Sequence, residues 1–356
     1  MNGLPPVLVI GGGPAGLRAA ADLADLGYSV VLVEKRGELG GAPVRWKYKT
    51  LAPELRPTEE VMMPLIEYAE KNGRVKVYKN SVVERCEGGA GDFAVTVKNL
   101  SNGSSEKIKA SAIIVATGFE HFDARFDPRY GYGRNPNVIG IHELEGMIKE
   151  GRIVKHDGTP PKRIAFIFCV GSRDRATNPW CCTVCCGVSI KQAIEVKELL
   201  KDAEIYVIYM DIRTFGLWEK LYWTSMEEYG INYVRGRVGE IYYLDGKLLV
   251  KGEDTLVRGP FEVLFDMVVL AVGMEPGEGT KQIAKALNLR VNEFGFLKPK
   301  HPNIHYDSGR EGIFLAGACV APMSVEEAIA EGSAAAMQAV KLLNRLSPVL
   351  AKSGGG

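Results

Sequence analysis

Two spacings of hydrophobic residues alternate along the chain and predict alternating strands and helices. Short apolar runs at 7–10 and 30–33 are typical of buried parallel strands, because both faces of such strands are covered. Between them, alanine and leucine recur at helical spacing from about residue 14 to residue 27. This strand–helix–strand order predicts an α/β fold built on parallel sheets.

A second group of strand-like runs lies in the middle of the sequence. It begins at KRIAFIFCVGS and closes at DMVVLAVGMEP, so residues 159–288 are predicted to form a domain that is inserted into another one. The surrounding domain then consists of residues 1–158 and 289–356. We therefore expect two Rossmann-like domains, each with three layers.

The two predicted domains share a weak internal repeat. The run 267–272, which ends at a glycine, echoes the run 113–116, which ends at Thr-Gly. Apolar and polar residues alternate at 86–109 and 240–262 around Gly, Asn and Asp, which predicts antiparallel hairpins. The repeat indicates a duplication of the two-domain type.

A glycine fingerprint follows the first predicted strand. Gly11 permits a tight turn, Gly13 lets the backbone approach a pyrophosphate, and Gly16 allows close packing of the helix on the strand. The helix N-terminus then supplies N–H groups and the positive end of its dipole. Glu34 ends the second strand, where a carboxylate accepts hydrogen bonds from ribose hydroxyls. The pattern predicts a dinucleotide site, and the alternative is a glycine-rich turn that binds nothing.

Composition and charge narrow the function classes. The 356 residues are 46% hydrophobic and 24% charged, which is ordinary for a folded protein of two domains. With 44 Lys and Arg against 43 Asp and Glu, the net charge of +1 creates no basic field, so we expect no nucleic-acid partner. The longest apolar run is too short for a membrane span, and a strand begins at Val7 without a signal peptide. We therefore expect a cytoplasmic protein.

Five of the seven cysteines lie in one stretch, CVGSRDRATNPWCCTVCC at 169–186. In the cytoplasm such a group is more often metal-binding or catalytic than a structural disulfide. The stretch follows the first strand of the inserted domain, where a second glycine fingerprint would bind NAD(P)H. Only Gly171 remains there, so we expect no pyridine nucleotide in this domain. A redox pair Cys182–Cys185, a zinc knot and an iron–sulfur cluster stay open as interpretations.

The fingerprint, Gly40-Gly41, AIIVATG and GIFLAGAC together resemble the FAD domain of flavoproteins with two dinucleotide-binding domains, such as thioredoxin reductase. The resemblance covers nearly the whole chain and implies FAD in the first site. The residues that it implies for FAD binding are Gly11, Gly13, Pro14, Ala15, Gly16, Glu34, Lys35, Gly40, Gly41, Val83, Ala116, Thr117, Gly118, Gly317, Ala318, Cys319 and Ala328. The acid of the usual "GD" motif is absent, since Ala318 and Cys319 stand there. Cys319 is either a flavin contact or a small apolar filler.

The segments FIFCVGSRD, NPWCCTVCC, IKQA, FDARFDPRYGYG and PNVI resemble the core of the A subunit of heterodisulfide reductase. That family carries FAD and a [4Fe–4S] cluster of unusual spacing. The resemblance implies Cys169, Cys181, Cys185 and Cys186 as cluster ligands, with Cys182 as an extra cysteine. It also implies that Lys191 lies near flavin N5, where a cation would stabilise reduced anionic flavin, although a solvated lysine on a helix face is the alternative.

The resemblance is to the short form found in heterodisulfide-reductase-like complexes of sulfur oxidisers, because ferredoxin-type cysteine motifs are missing from this sequence. It implies an oxidoreductase that passes electrons between FAD, a [4Fe–4S] cluster and B- and C-type partner subunits, as a homodimer. One alternative is an NAD(P)H-dependent disulfide reductase that uses Cys182 and Cys185. The other alternative is a scaffold protein whose FAD is structural.

Overall fold

The computed structural model describes residues 4–353, and the side chains of residues 4–346. The helices are α1 (Pro14–Asp25), α2 (Ala42–Arg45), α3 (Thr58–Lys71), α4 (Ile141–Lys149), α5 (Cys185–Leu199), α6 (Trp218–Glu227), α7 (Thr280–Ala286) and α8 (Val325–Ser353). The strands are β1 (Val7–Ile10), β2 (Val30–Val33), β3 (Thr50–Leu51), β4 (Arg56–Pro57), β5 (Val75–Tyr78), β6 (Ser81–Gly89), β7 (Asp92–Asn99), β8 (Ser105–Ala110), β9 (Ala112–Val115), β10 (Phe119–His121), β11 (Val138–Gly140), β12 (Arg163–Val170), β13 (Glu204–Tyr209), β14 (Asn232–Leu244), β15 (Lys247–Asp254), β16 (Gly259–Phe265), β17 (Met267–Val272), β18 (Met274–Pro276) and β19 (Ile313–Leu315).

The chain forms two compact units, and neither is a continuous segment. The first unit contains residues 4–45, 59–120 and 275–353, and the second contains residues 46–58 and 121–274. The boundaries of these units differ from the predicted domain boundaries, which follow residues 158 and 288. Residues 121–158 belong to the second unit because β11 pairs in parallel with β17 of that unit's sheet.

The first unit is a three-layer sandwich around a parallel sheet. The sheet has the order β19-β9-β1-β2-β5, and every pairing in it is parallel. One face packs on α1, α3 and α8 through residues such as Val7, Val9 and Leu32. The other face, with Leu8 and Ile10, packs on α7 and on the antiparallel sheet β6-β7-β8. The strands are buried on both faces, which explains their continuous apolar sequences.

The second unit is built on a mixed sheet of seven strands in the order β11-β17-β12-β13-β14-β15-β16. The first five strands are parallel, and β14, β15 and β16 form an antiparallel meander. Helix α5 connects β12 to the parallel strand β13. The predicted α/β fold with two Rossmann-like domains is thus confirmed, as are both predicted hairpin segments. Among residues 4–353, no helix has the length and apolar character needed to cross a membrane.

Candidate functional site

The glycine fingerprint lies at the C-terminal end of β1 and leads into α1. Gly13 is the N-cap of α1, and Pro14 is its first residue. A Cβ at Gly16 would overlap the carbonyl oxygen of Gly11, and a Cβ at Gly11 would overlap that of Ala116. These two glycines are therefore required by the packing of the protein itself.

Gly13 differs from the other two glycines of the fingerprint. Its nearest neighbour, apart from the adjoining residues, would be the Cα of Gly41, at 3.7 Å from an added Cβ. The packing thus tolerates a Cβ at this position, and the absence of one leaves open space at the N-terminus of α1. That space suits a pyrophosphate, which needs close approach to backbone N–H groups.

Glu34 holds the glycine loop to the end of β2. Its carboxylate is buried and accepts hydrogen bonds from the backbone N–H of Gly12 at 2.6 Å and of Arg36 at 2.8 Å. Each carboxylate oxygen keeps a further lone pair for a ribose hydroxyl. The next residue, Lys35, forms an ion pair with Glu278 of the same unit.

A second group of residues predicted for FAD follows the ends of β9 and β19. Ala116, Thr117 and Gly118 directly follow β9, and the hydroxyl of Thr117 is buried without a hydrogen-bond partner in the part of the chain that the structure describes. Gly317 follows β19, and a Cβ there would lie 2.9 Å from the Cβ of Ala15 in the first turn of α1. The ends of β1, β2, β9 and β19 meet at one edge of a parallel sheet, which is where this fold class binds ligands.

The other residues that the resemblance implies for FAD also lie in the first unit. Gly40 and Gly41 follow β2 and precede α2, Ala318 follows Gly317, Ala328 lies in the first turns of α8, and Val83 is buried in β6. The thiol of Cys319 is fully buried and donates to the carbonyls of Val115 at 3.4 Å and Ala316 at 3.3 Å. Burial raises the pKa of Cys319 to about 12. These contacts favour the packing interpretation of Cys319.

One acid near this edge was not predicted from the sequence. Glu331 of α8 accepts a hydrogen bond from the backbone N–H of Gly317 at 2.8 Å and pairs with Nδ1 of His305 at 2.6 Å. No motif marks either residue, because the contact depends on how α8 packs beside β19. The donor set of the first unit, with its open helix N-terminus and buried Thr117 hydroxyl, fits FAD.

The cysteine-rich stretch lies in the second unit, between β12 and α5. Cys169 is in β12, and Cys185 and Cys186 form the first turn of α5. Burial raises the pKa of Cys169, although the nearby Arg173 guanidinium opposes this effect, and burial raises the pKa of Cys186 to about 12. The charge of Cys181 contributes to both increases, so these three cysteines lie within electrostatic range of one another.

The fourth predicted ligand has a different partner. Cys185 forms a disulfide with Cys182, the cysteine that the resemblance left without a role. Within residues 4–353, no three Cys, His, Asp or Glu side chains are arranged so as to hold a metal ion. The turn that starts α5 brings the sulfur atoms of Cys182 and Cys185 together. The assignment of Cys185 as a cluster ligand stays a prediction of the resemblance. Cys169, Cys181 and Cys186 remain free thiols.

From the end of β12 to the first turn of α5, the glycines leave no room for a pyrophosphate. A Cβ at Gly171 would overlap the ring of Phe122, and a Cβ at Gly187 would overlap the ring of Trp218. Aromatic side chains of the same unit thus already occupy the space that these glycines leave. The small size of Gly171 and Gly187 therefore makes room for these aromatic rings and does not open a nucleotide-binding turn.

Lys191 lies in α5 and is buried, with a 2% exposed side chain. Its Nζ is 2.5 Å from Oε1 of Glu145 and 3.2 Å from Oε2 of Glu195, and it donates to the carbonyl of Thr50 at 3.2 Å. Gln192 also donates to Glu145, at 2.9 Å. Lys191 is therefore not a solvated lysine on a helix face.

Burial raises the pKa of the Glu195 carboxyl, and the positive charge of Lys191 only partly offsets this effect. Two acids thus share one buried cation. This ion-pair network was missed in the sequence because its members come from α4, α5 and the short segment 46–58. Whether Lys191 also meets a flavin stays a prediction of the resemblance.

Residues 5–165 match the family model for pyridine nucleotide-disulphide oxidoreductases. The A subunit of the H2:CoB-CoM heterodisulfide,ferredoxin reductase of Methanothermobacter thermautotrophicus is 34% identical, over 93% of this chain and 63% of the relative. An A-type iron–sulfur subunit of the CoB–CoM heterodisulfide reductase of Methanopyrus kandleri is 32% identical, over 94% of this chain and 64% of the relative. The chain thus spans less than two thirds of the length of these relatives.

Solved structures support the same fold. The thioredoxin reductases of T. acidophilum and Lactococcus lactis superpose with a TM-score of 0.67, and each covers 96% of this chain and 99% of its own. Their sequence identities of 17% and 19% are low, so this likeness concerns the fold alone.

Proposed function

Since this chain is a homologue of the A subunits of heterodisulfide reductases over most of its length, we propose that it is a flavin-containing electron-transfer subunit of a heterodisulfide-reductase-like complex. The observation that carries the proposal is a difference between two related loops. The loop after β1 is open for a dinucleotide, whereas the stretch 169–187 carries five cysteines, and aromatic rings fill the space beside Gly171 and Gly187. Within the described residues, the first loop can accept a flavin nucleotide, and the glycines of the second stretch leave no open space for a pyridine nucleotide.

FAD is held in this proposal by the first unit. The N–H groups at the start of α1 bind the pyrophosphate, and Glu34 accepts from the adenosine ribose. The buried Thr117 hydroxyl gains a polar partner on the cofactor. The apolar ends of β9 and β19 exclude water from the flavin.

The second proposed cofactor is a [4Fe–4S] cluster held by Cys169, Cys181, Cys185 and Cys186, once the bond between Cys182 and Cys185 is reduced. Support comes from the three free thiols within electrostatic range and from the position of Cys185 and Cys186 at the start of α5, whose positive dipole end favours thiolates. When bound, FAD exchanges electrons singly or in pairs, and the cluster exchanges single electrons.

The partners are proposed from the relatives, whose names describe them as subunits. We expect B- and C-type subunits that carry out disulfide or sulfur chemistry, a homodimer of this chain, and cytoplasmic residence.

The alternative of a self-sufficient disulfide reductase is less well supported. Cys182 and Cys185 are only 1% and 3% exposed, whereas a dithiol that attacks an external protein disulfide has to be reachable. The scaffold alternative gives no function to the buried cysteines Cys169 and Cys186, which lie at the end of β12 and the start of α5.

Anaerobic purification followed by measurement of flavin, iron and acid-labile sulfide per chain tests the proposal. We expect about one FAD, four irons and four sulfides per chain for this cluster type. A protein with flavin but neither iron nor sulfide after thorough reduction would leave the reductase or scaffold alternatives. A protein without flavin would contradict all three.

A further inference from the structure

Glu331 connects α8 to the edge of the sheet that carries the proposed flavin site. Its Oε2 accepts the backbone N–H of Gly317 at 2.8 Å, and its Oε1 is 2.6 Å from Nδ1 of His305. The side chains of Glu331 and His305 are 21% and 40% exposed, so water and protons reach both groups. One carboxylate thus joins two other segments of the same unit, the turn after β19 and the segment before it.

Gly317 lies at a point where a small displacement would change the flavin site. It comes two residues after the end of β19 and has a φ of 74°, which favours glycine. A Cβ at Gly317 would be only 2.9 Å from the Cβ of Ala15, in the first turn of α1. The same turn starts at Gly13, beside the open space that suits a pyrophosphate. The backbone at Gly317 is therefore part of the wall near this space.

Hydrogen bonds hold both ends of the peptide group between Ala316 and Gly317. Its carbonyl accepts from the Cys319 thiol at 3.3 Å, and its N–H donates to Glu331. A hydrogen bond to a charged acceptor is stronger than one from a thiol, so Glu331 is the stronger anchor. Without the carboxylate, the N–H would need another acceptor, and rotation of the peptide group would move the backbone next to α1.

His305 can hold the Glu331 carboxylate in either protonation state, because a neutral imidazole with Nδ1–H and a protonated imidazole both donate. Other charged groups on the two helices have their own partners. Glu327, one turn earlier in α8, accepts a backbone N–H at the start of that helix, and Arg18 forms an ion pair within α1. The Cys319 thiol stays neutral, because burial raises its pKa to about 12.

We propose that Glu331 is a positioning residue of the flavin site: held by His305, its carboxylate fixes the N–H of Gly317 and keeps the backbone after β19 clear of the bound cofactor. Glu331 acts through Gly317 and not by contact with FAD. This role rests on the proposed flavin in the first unit and is independent of the cysteine-rich stretch.

The experiment measures the affinity of the full chain for FAD in wild type, Glu331→Ala, Glu331→Gln and the control Glu327→Gln. The control removes the charge of an acid that lies one turn away on the same helix. Each protein is freed of flavin and titrated with FAD at about pH 8 and about pH 5.5, on either side of the ordinary titration of imidazole. Quenching of flavin fluorescence reports binding, and circular dichroism checks the fold.

We expect Glu331→Ala to bind FAD about tenfold more weakly at both pH values, because the N–H of Gly317 loses a charged acceptor. Glu331→Gln should match wild type at the higher pH. There its amide oxygen accepts from Gly317 while its amide N–H donates to Nδ1 of neutral His305.

At the lower pH, protonated His305 has only donors to offer, so one donor must face the amide group of Glu331→Gln without an acceptor. The affinity of this variant for FAD should then fall about fivefold relative to wild type. Glu327→Gln should follow wild type at both pH values. The pH effect should vanish in the double variant Glu331→Gln/His305→Ala, a result that a general loss of stability would not produce.

The outcomes separate the role of Glu331 from the flavin site on which it rests. Wild-type affinity in Glu331→Ala, or no difference between the two pH values in Glu331→Gln, overturns the positioning role and leaves the flavin in place. If Glu331→Ala does not fold, the two titrations of Glu331→Gln decide. Wild type that binds no FAD overturns the flavin site and the positioning role together.

Discussion

Glu34 accepts the backbone N–H of Gly12 at 2.6 Å, and this bond ties the glycine loop after β1 to the end of β2. The acid of the fingerprint thus has a structural use as well as its expected contact with ribose. Because its other oxygen accepts the N–H of Arg36, Glu34 satisfies one buried and one partly buried backbone group.

The first prediction follows from these two bonds. Glu34→Ala should lower the free energy of unfolding by about 1–3 kcal/mol, since the buried N–H of Gly12 and the partly buried N–H of Arg36 lose their acceptor. Glu34→Gln keeps one amide oxygen and should cost less, while both variants should hold FAD more weakly. Urea unfolding and flavin content per chain measure the two effects. Equal unfolding curves for wild type and Glu34→Ala would contradict the role of the carboxylate in the loop.

Gly13 offers a cleaner test of the flavin site than the other glycines of the fingerprint. Gly13→Val should fold and yet purify without flavin, because the nearest atom to the new Cβ is 3.7 Å away and the rest of the side chain enters the space for the pyrophosphate. Gly16→Val should instead disturb folding, since its Cβ overlaps the Gly11 carbonyl. Circular dichroism and the flavin absorption spectrum distinguish these results. A full flavin spectrum in folded Gly13→Val would mean that the site is elsewhere.

The purified protein should show little FAD reduction when it is mixed with NADH or NADPH. The reason is that Phe122 and Trp218 already fill the space beside Gly171 and Gly187, so no glycine turn is open for a second pyrophosphate. Stopped-flow absorbance at the flavin band measures the reduction, with dithionite as the positive control. Rapid bleaching at micromolar nucleotide would favour the disulfide-reductase alternative.

The four proposed ligands should respond alike to serine substitution. Replacement of Cys169, Cys181, Cys185 or Cys186 should lower iron per chain, because a serine hydroxyl is a harder and poorer ligand than a thiolate. Cys182→Ser and Cys86→Ser should keep the iron, and all six variants should keep most of their flavin. Iron analysis and electron paramagnetic resonance of the dithionite-reduced protein report the cluster. Loss of iron in Cys182→Ser together with retention in Cys169→Ser would reverse the assignment.

Glu195 should give the protein's stability a measurable dependence on pH. Burial raises the pKa of its carboxyl above the ordinary value of 4.5, so the folded chain holds this proton more tightly than the unfolded chain. The stabilisation is complete below about pH 4.5 and is lost as the pH rises through the raised pKa. Glu195→Gln cannot ionise and should not lose this stabilisation. The free energy of unfolding of Glu195→Gln should therefore increase relative to that of wild type as the pH rises from 4.5 toward 7. Parallel profiles in urea unfolding would contradict the raised pKa.

Local chemistry explains what the sequence could predict. Gly11, Gly13 and Gly16 lie within six residues of one another, so their spacing alone predicts the loop and the helix α1 that follows it. The apolar run that forms β2 could likewise be predicted without a structure. The alternating residues of β14 and β15 likewise predict their own pairing.

Contacts over long sequence distances explain what was missed. Lys191 and Glu145 are 46 positions apart, and neither stands in a pattern that indicates a buried ion pair. The placement of 46–58 in the second unit depends on bonds such as that of Thr50 to Glu195. The bond between Cys182 and Cys185 depends on a turn whose middle residue, Thr183, has a conformation that threonine rarely adopts.

The close packing of α1 on α8 has a consequence for synthesis of the protein. A Cβ at Gly332 would overlap the carbonyl of Ala15, so α1 and α8 touch at backbone level. During synthesis the glycine loop leaves the ribosome about 300 residues before α8 does. The flavin site should therefore be completed only after α8 has left the ribosome, and chains truncated before α8 should purify without flavin.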